Sequence, residues 1–224
     1  MAKNNLGALY SNATILLHAN ASMKLWYGVK GKVVSIPACF NKTAELELAA
    51  SHDDPYADHA LIKIENALNE AFIELNILST SILADDNRRR RVNTTQCQSM
   101  KPVEKNLFVK SRFGWRLVAL LEEFDLFIVD LMDAQFKARV TRHDFELKKT
   151  RALTAFRHVL AVCHASKHSG ITRQDIREGN AKAEAAKTKF GRIPMEVAEG
   201  IVRAEFAPEV KLSKEKVSEE LSHA

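Results

Sequence analysis

Between residues 55 and 83 the chain places apolar side chains at steps of three and four: Leu61, Ile64, Leu68, Phe72, Leu75, Leu78 and Ile82. Lys63, Glu65, Asn66, Asn69, Glu70, Glu74 and Asn76 fall mostly on the other side. The spacing predicts one amphipathic helix of about eight turns, Pro55 to about Leu83, with a face that something must cover. Its start is well marked. Asp54 suits the N-cap, Pro55 the first position, where its missing N–H costs nothing, and Asp58 the first turn, where the helix dipole favours an acid.

The flanking pattern is less regular. Residues 1–11 read as a loose lead. In the stretch 13–20, Ala13, Ile15, Leu17 and Ala19 alternate with Thr14, His18 and Asn20, the signature of a strand, with Leu16 breaking the polar side. A turn over 28–32, a short extended piece over 33–36 and a helix over 37–50 follow, the last with Phe40, Ala44, Leu46 and Leu48 inward. Beyond Asp85-Asp86-Asn87 the stretch 88–101 reads as a mobile polar connection. Residues 103–110 form a second strand candidate. Trp115 to about Ala138 is a second long helix on Val118, Leu121, Phe124, Ile128 and Leu131. Thr141 caps a third, which reaches about His164 with Phe145, Leu153, Phe156 and Leu160 inward. Gly170 stops the run, and Thr172 with Asp175 resembles a capping box. From Asn180 the composition turns to Ala, Lys and Glu, and after Pro208 to Lys, Glu and Ser with few apolar anchors, which predicts disorder or a lone solvated helix. The reading is a mainly α chain with short strands, in three parts: 1–86, 87–168 and a C-terminal extension over 169–224.

Composition adds limits. With 224 residues, 46% of them apolar and only eight glycines and five prolines, the chain can bury a sizeable core. No apolar run is long enough to span a bilayer and no signal-peptide core follows Met1, which predicts a cytoplasmic protein. Cys39, Cys97 and Cys163 are odd in number and far apart, as reduced thiols would be. His52, Asp53, Asp54, Asp58 and His59 have metal-ligand side chains, but capping and dipole chemistry already account for the acids. Cys163, His164 and His168 read as a solvated helix end. No phosphate loop, Gly-x-Ser-x-Gly or His-Glu-x-x-His motif is present, so neither an enzyme nor a cofactor or metal is expected.

Charge changes the picture most. The net charge is only +5, yet residues 87–116 hold nine Lys or Arg against one acid, and 137–192 hold fourteen against five. Segregation of this kind points to a polyanionic partner. Arg88, Arg89, Arg90 and Arg91 lead into the strand bearing Lys105, Asn106 and Lys110, with Arg112 just beyond. A basic strand followed by two helices is the order of a ribbon-helix-helix protein, in which two chains pair one strand each and lay the ribbon in the major groove of double-stranded DNA. Lys and Asn there reach base edges, a flexible arginine arm adds phosphate attraction, and Thr141 and Arg142 sit at the helix start where such proteins meet phosphate. The strand over 13–20 competes for the ribbon's place, but the helix after its first helix would present Asp53, Asp54 and Asp58 to phosphate.

The Asp53-Asp54-Pro55-Tyr56-Ala57-Asp58 element carries a resemblance. With Gly7-Ala8-Leu9 and Leu17-His18, Leu25-Trp26-Tyr27-Gly28, Ile64-Glu65-Asn66-Ala67-Leu68, Arg112-Phe113-Gly114-Trp115-Arg116-Leu117 and Phe124-Asp125, it is similar to the AcaB-like family of conjugative plasmids and integrative conjugative elements. The likeness covers roughly residues 6–180. It implies a bacterial ribbon-helix-helix activator of transfer genes; the six-residue element marks the family and assigns no binding site. The expectation is a homodimeric, DNA-binding transcriptional regulator that also meets RNA polymerase or a co-activator. The alternative is a non-enzymatic helical scaffold of the conjugation apparatus, whose basic patch meets an acidic protein or DNA without reading sequence.

Overall fold

The computed structural model describes residues 13–83, 95 and 97–211. Among these, strands β1 (Ala13–Leu17) and β2 (Val103–Leu107) accompany eight helices: α1 (Asn20–Tyr27), α2 (Ile36–Ser51), α3 (Pro55–Leu83), α4 (Arg112–Phe136), α5 (Arg142–Ala165), α6 (Arg173–Glu178), α7 (Ala181–Phe190) and α8 (Met195–Glu199). The run Arg88–Arg91 and the tail beyond 211 lie outside the described residues.

The helix α3 has the bounds that its periodicity predicts, because Asp54 Oδ1 accepts the N–H groups of Tyr56 (2.9 Å) and Ala57 (3.1 Å). Its apolar stripe is covered on several sides at once, by α2, α4, α5 and α8. The bulkiest fully buried side chains come from α4 (Phe113, Phe124, Phe127) and α5 (Phe156), with Phe124 and Phe156 edge to face at 5.4 Å. One continuous core draws on residues before and after position 86.

Starts that the sequence marks with a capping residue match it closely. Thr141 caps α5 by accepting the Asp144 N–H at 3.1 Å, and Thr172 and Asp175 form a reciprocal capping box at α6. Other starts shift. The helix α4 begins at Arg112 rather than Trp115, because Ser111 Oγ accepts the Gly114 N–H at 2.9 Å and is itself held by Thr43 at 2.7 Å. The first strand ends at Leu17 rather than at 20, and Asn20 joins residues 21–27, for which the pattern suggests no element, in α1; its N-cap, Ala19, offers no side-chain oxygen. Leu48 is 57% exposed rather than inward, since two residues beyond buried Leu46 is more than half a turn around the helix. Cys39, Cys97 and Cys163 are free thiols, and among the described residues no helix is long and apolar enough to cross a membrane.

The two strands weighed as alternative ribbons pair with each other. β1 and β2 run antiparallel, Ala13 opposite Leu107 and Leu17 opposite Val103, so the ribbon forms within one chain and not from one strand of each of two chains. Apolar Ile15, Leu17 and Leu107 share one face, and burying them together on the helices favours this register.

Candidate nucleic-acid interface

Alternation along the paired strands sorts the ribbon into two faces. Ile15, Leu17 and Leu107 go inward. The pairs Thr14–Asn106 and Leu16–Glu104 go outward, and all four side chains are exposed, Leu16 at 53%. Among the described residues the polar groups of Thr14, Glu104 and Asn106 make no side-chain hydrogen bond, so they are free to meet another molecule. The ribbon is held from behind by α4: the buried carboxylate of Asp125 accepts the N–H groups of His18 (2.9 Å) and Ala19 (3.0 Å) just after β1.

The residues expected to read bases separate. Lys105 neighbours Asn106 in the strand and therefore points the other way; its ammonium donates to Tyr27 Oη at 2.6 Å and lies 4.7 Å from the centre of that ring. Asn106 alone of the two is on the outward face. Lys110 is exposed beyond the strand end, two residues past Phe108, which is 76% exposed. Arg112 is exposed, and part of its hydrogen bonding is used within the chain, on the carbonyls of Phe206 (3.4 Å) and Ala207 (3.3 Å). Arg116 is spent likewise, on Glu65, Asn69 and the face of Phe206. Thr141 and Arg142 are exposed at the start of α5. The first turns of α5, through Phe145 and Lys149, share a groove of about 590 Å³ with Leu17, His18 and Val103, which sets that helix start at one end of the ribbon. Thr14, Leu16 and Glu104 were not anticipated; the period-two pattern would have exposed them once the partner strand was known.

The model of a family described as Transcriptional regulator AcaB matches residues 5–211. The chain belongs to the AcaB family. Its fold is similar to the crystal structure of an AcaB from uropathogenic E. coli, with a TM-score of 0.53 at 9% identity, covering 86% of this chain and 98% of that one. At that identity the likeness is one of fold. No curated protein matches the sequence.

In this AcaB-family chain the six-residue acidic element is a structural junction. Beyond capping α3, Asp54 accepts hydrogen bonds from the N–H groups of Ser169 (2.8 Å) and Gly170 (2.6 Å) and from Ser169 Oγ (2.9 Å). Fully buried Asp58 binds Arg173 at 2.6 Å and both donors of Arg203 at 2.9 and 3.0 Å, while Asp53 takes the other arm of Arg173. Tyr56 Oη donates to the Gly191 carbonyl at 3.0 Å. Capping and dipole chemistry explain part of this element. The rest, ion pairs with arginines more than a hundred residues away, is invisible to local spacing. Asp53 and Asp58 are thereby paired with cations, and Arg173, which belongs to the basic count over 137–192, is buried.

Proposed function

We propose that this chain is a sequence-specific DNA-binding regulator of transcription that lays the β1–β2 ribbon in the major groove of its operator. The reading rests on the outward strip Thr14, Leu16, Glu104 and Asn106, whose side chains are exposed and unengaged. Each has a base-edge counterpart: Asn for adenine, Glu for the cytosine amino group, Thr for either a base edge or a thymine methyl, Leu for a thymine methyl. Lys110 and Arg142, flanking the strip, and the arginine run at 88–91 supply phosphate attraction. The succession β2–α4–α5 keeps the order of a ribbon-helix-helix unit, with β1 in the place of a second chain's strand. A homodimer then brings two such ribbons to two half-sites. From the family resemblance, the regulated genes are conjugative transfer genes and the effect is activation, through a further contact with RNA polymerase or a co-activator.

Footprinting of the full chain on promoters of its own mobile element, with unrelated duplex as competitor, tests the proposal. A protected site that survives competition supports it. Equal displacement by any duplex would place the chain among sequence-blind components of the conjugation apparatus.

A further inference from the structure

A second basic surface lies well away from the ribbon. Where α3, the end of α5 and the α7–α8 connection meet, Lys63, Lys167, Lys189 and Arg192 converge on one groove of about 420 Å³ with no acid in its lining. None of the four is in an ion pair among the described residues, whereas Arg112, Arg116, Arg173 and Arg203 are all committed to internal acceptors. Like charges gathered from three elements repel one another, the acids Asp54 and Glu184 acting only from behind Tyr56, and an anion relieves that repulsion. The groove also offers an aromatic surface: Phe190, half-buried, tilts at 51° against Tyr56 with ring centres 5.6 Å apart, and the Lys189 ammonium lies 5.1 Å from the Phe190 ring. His59 at the rim is biased toward its neutral form by burial and then by the charge of Lys63, in keeping with a positive local potential.

We propose that this groove binds a nucleotide unit, its phosphates against Lys63, Lys167, Lys189 and Arg192 and its base against Phe190. The chemistry follows from cations that make no ion pair among the described residues, set beside a half-exposed ring, and the volume lies in the range of small-ligand sites. The site also gives the family's acidic element a purpose beyond capping. Tyr56, the aromatic residue of that element, backs Phe190 and fixes the Gly191 carbonyl next to Arg192. The groove and the ribbon end contact opposite ends of α5, about 25 Å apart along the helix, so the site stands independently of the DNA-binding reading. The nucleotide is either free or part of a nucleic-acid strand running over this face.

Calorimetry on the full chain separates the two sources with three probes: ATP, pyrophosphate and a short oligothymidylate. ATP should bind at one site per chain, with pyrophosphate competing. Lys167→Glu with Arg192→Glu should weaken ATP about tenfold or more, Lys167→Gln with Arg192→Gln less, and Lys167→Arg little. Phe190→Leu should weaken ATP and leave pyrophosphate unchanged, a split that a general loss of charge or of folding does not produce. Binding of oligothymidylate, but not ATP, with the same dependence on Lys167, Arg192 and Phe190 supports the site and assigns it to a strand. The proposal is overturned if no probe binds, if neither charge variant changes binding, or if binding depends on Lys110 and Arg142 instead.

Discussion

Asp125 in α4 holds the backbone N–H of Ala19 at 3.0 Å, across more than a hundred residues, and so ties the end of β1 to the middle of the helical core. The same carboxylate holds the His18 N–H, and at 4% exposure it is nearly dry. Replacing it leaves two donors without an acceptor. Asp125→Ala is expected to cost roughly 2–4 kcal/mol in urea unfolding and to speed amide exchange at His18 and Ala19. A change within about 0.5 kcal/mol, the usual span for an unimportant surface site, would show that the tie contributes nothing.

The two faces of the ribbon make opposite predictions for adjacent residues. Asn106→Ala should weaken binding to the cognate site by about 1–3 kcal/mol and relax preference at one base pair, leaving unrelated duplex unaffected. Lys105→Ala, which removes a side chain lying on Tyr27, should alter specific and unrelated binding alike. Gel shifts at two salt concentrations distinguish these effects.

Asp58 is the hinge of the C-terminal part. Asp58→Asn removes one of the two carboxylates on Arg173, which is 4% exposed and keeps Asp53, and the carboxylate that Arg203 binds. A loss of about 2–4 kcal/mol follows, less than for a buried charge left with no partner. Limited proteolysis should then cut first between 173 and 211.

Acid sensitivity should localise to Asp133. Burial pushes its carboxyl up, but hydrogen bonds from Lys137 and Cys97 together with the Lys137 charge outweigh this and hold it at about 2. A folded value below the unfolded one, near 3.9, stabilises the native state above about pH 4, and the contribution disappears as pH falls from there toward 2. The share is on the order of 2 kcal/mol. Asp133→Asn should therefore flatten the stability profile between pH 4 and pH 2, measured by thermal unfolding.

Gly114 sits where the chain turns from β2 into α4. A Cβ there would come within 2.7 Å of Ser111 Oγ and of Val109 Cγ1, the first being the cap of that helix. Gly114→Ala is expected to destabilise by about 1–3 kcal/mol through overpacking, with near-ultraviolet circular dichroism reporting the disturbance around Trp115.

What could be read in advance follows from the range of the forces involved. The helix at 55–83, the Thr141 cap and the Thr172–Asp175 box depend on neighbours within four residues, and all stand as the sequence indicates. The family was legible too, from the acidic element and the aromatic segment at 112–117. Strand pairing was not: Asn106 and Lys105 look equivalent in a basic strand until the register with Thr14 and Ile15 assigns each to a face. Nor was the fate of Arg112, Arg173 and Arg203, whose acceptors are set by packing alone. A count of positive charge therefore overstated what solvent sees at 173 and fell short at the groove beside Phe190.

Because Ala13 finds its partner at Leu107, the ribbon proposed to meet DNA cannot form until about half of the chain has been synthesised. No short excerpt carries it. On the proposed reading, a new DNA target is reached by point changes on the two strands rather than by grafting a short cassette.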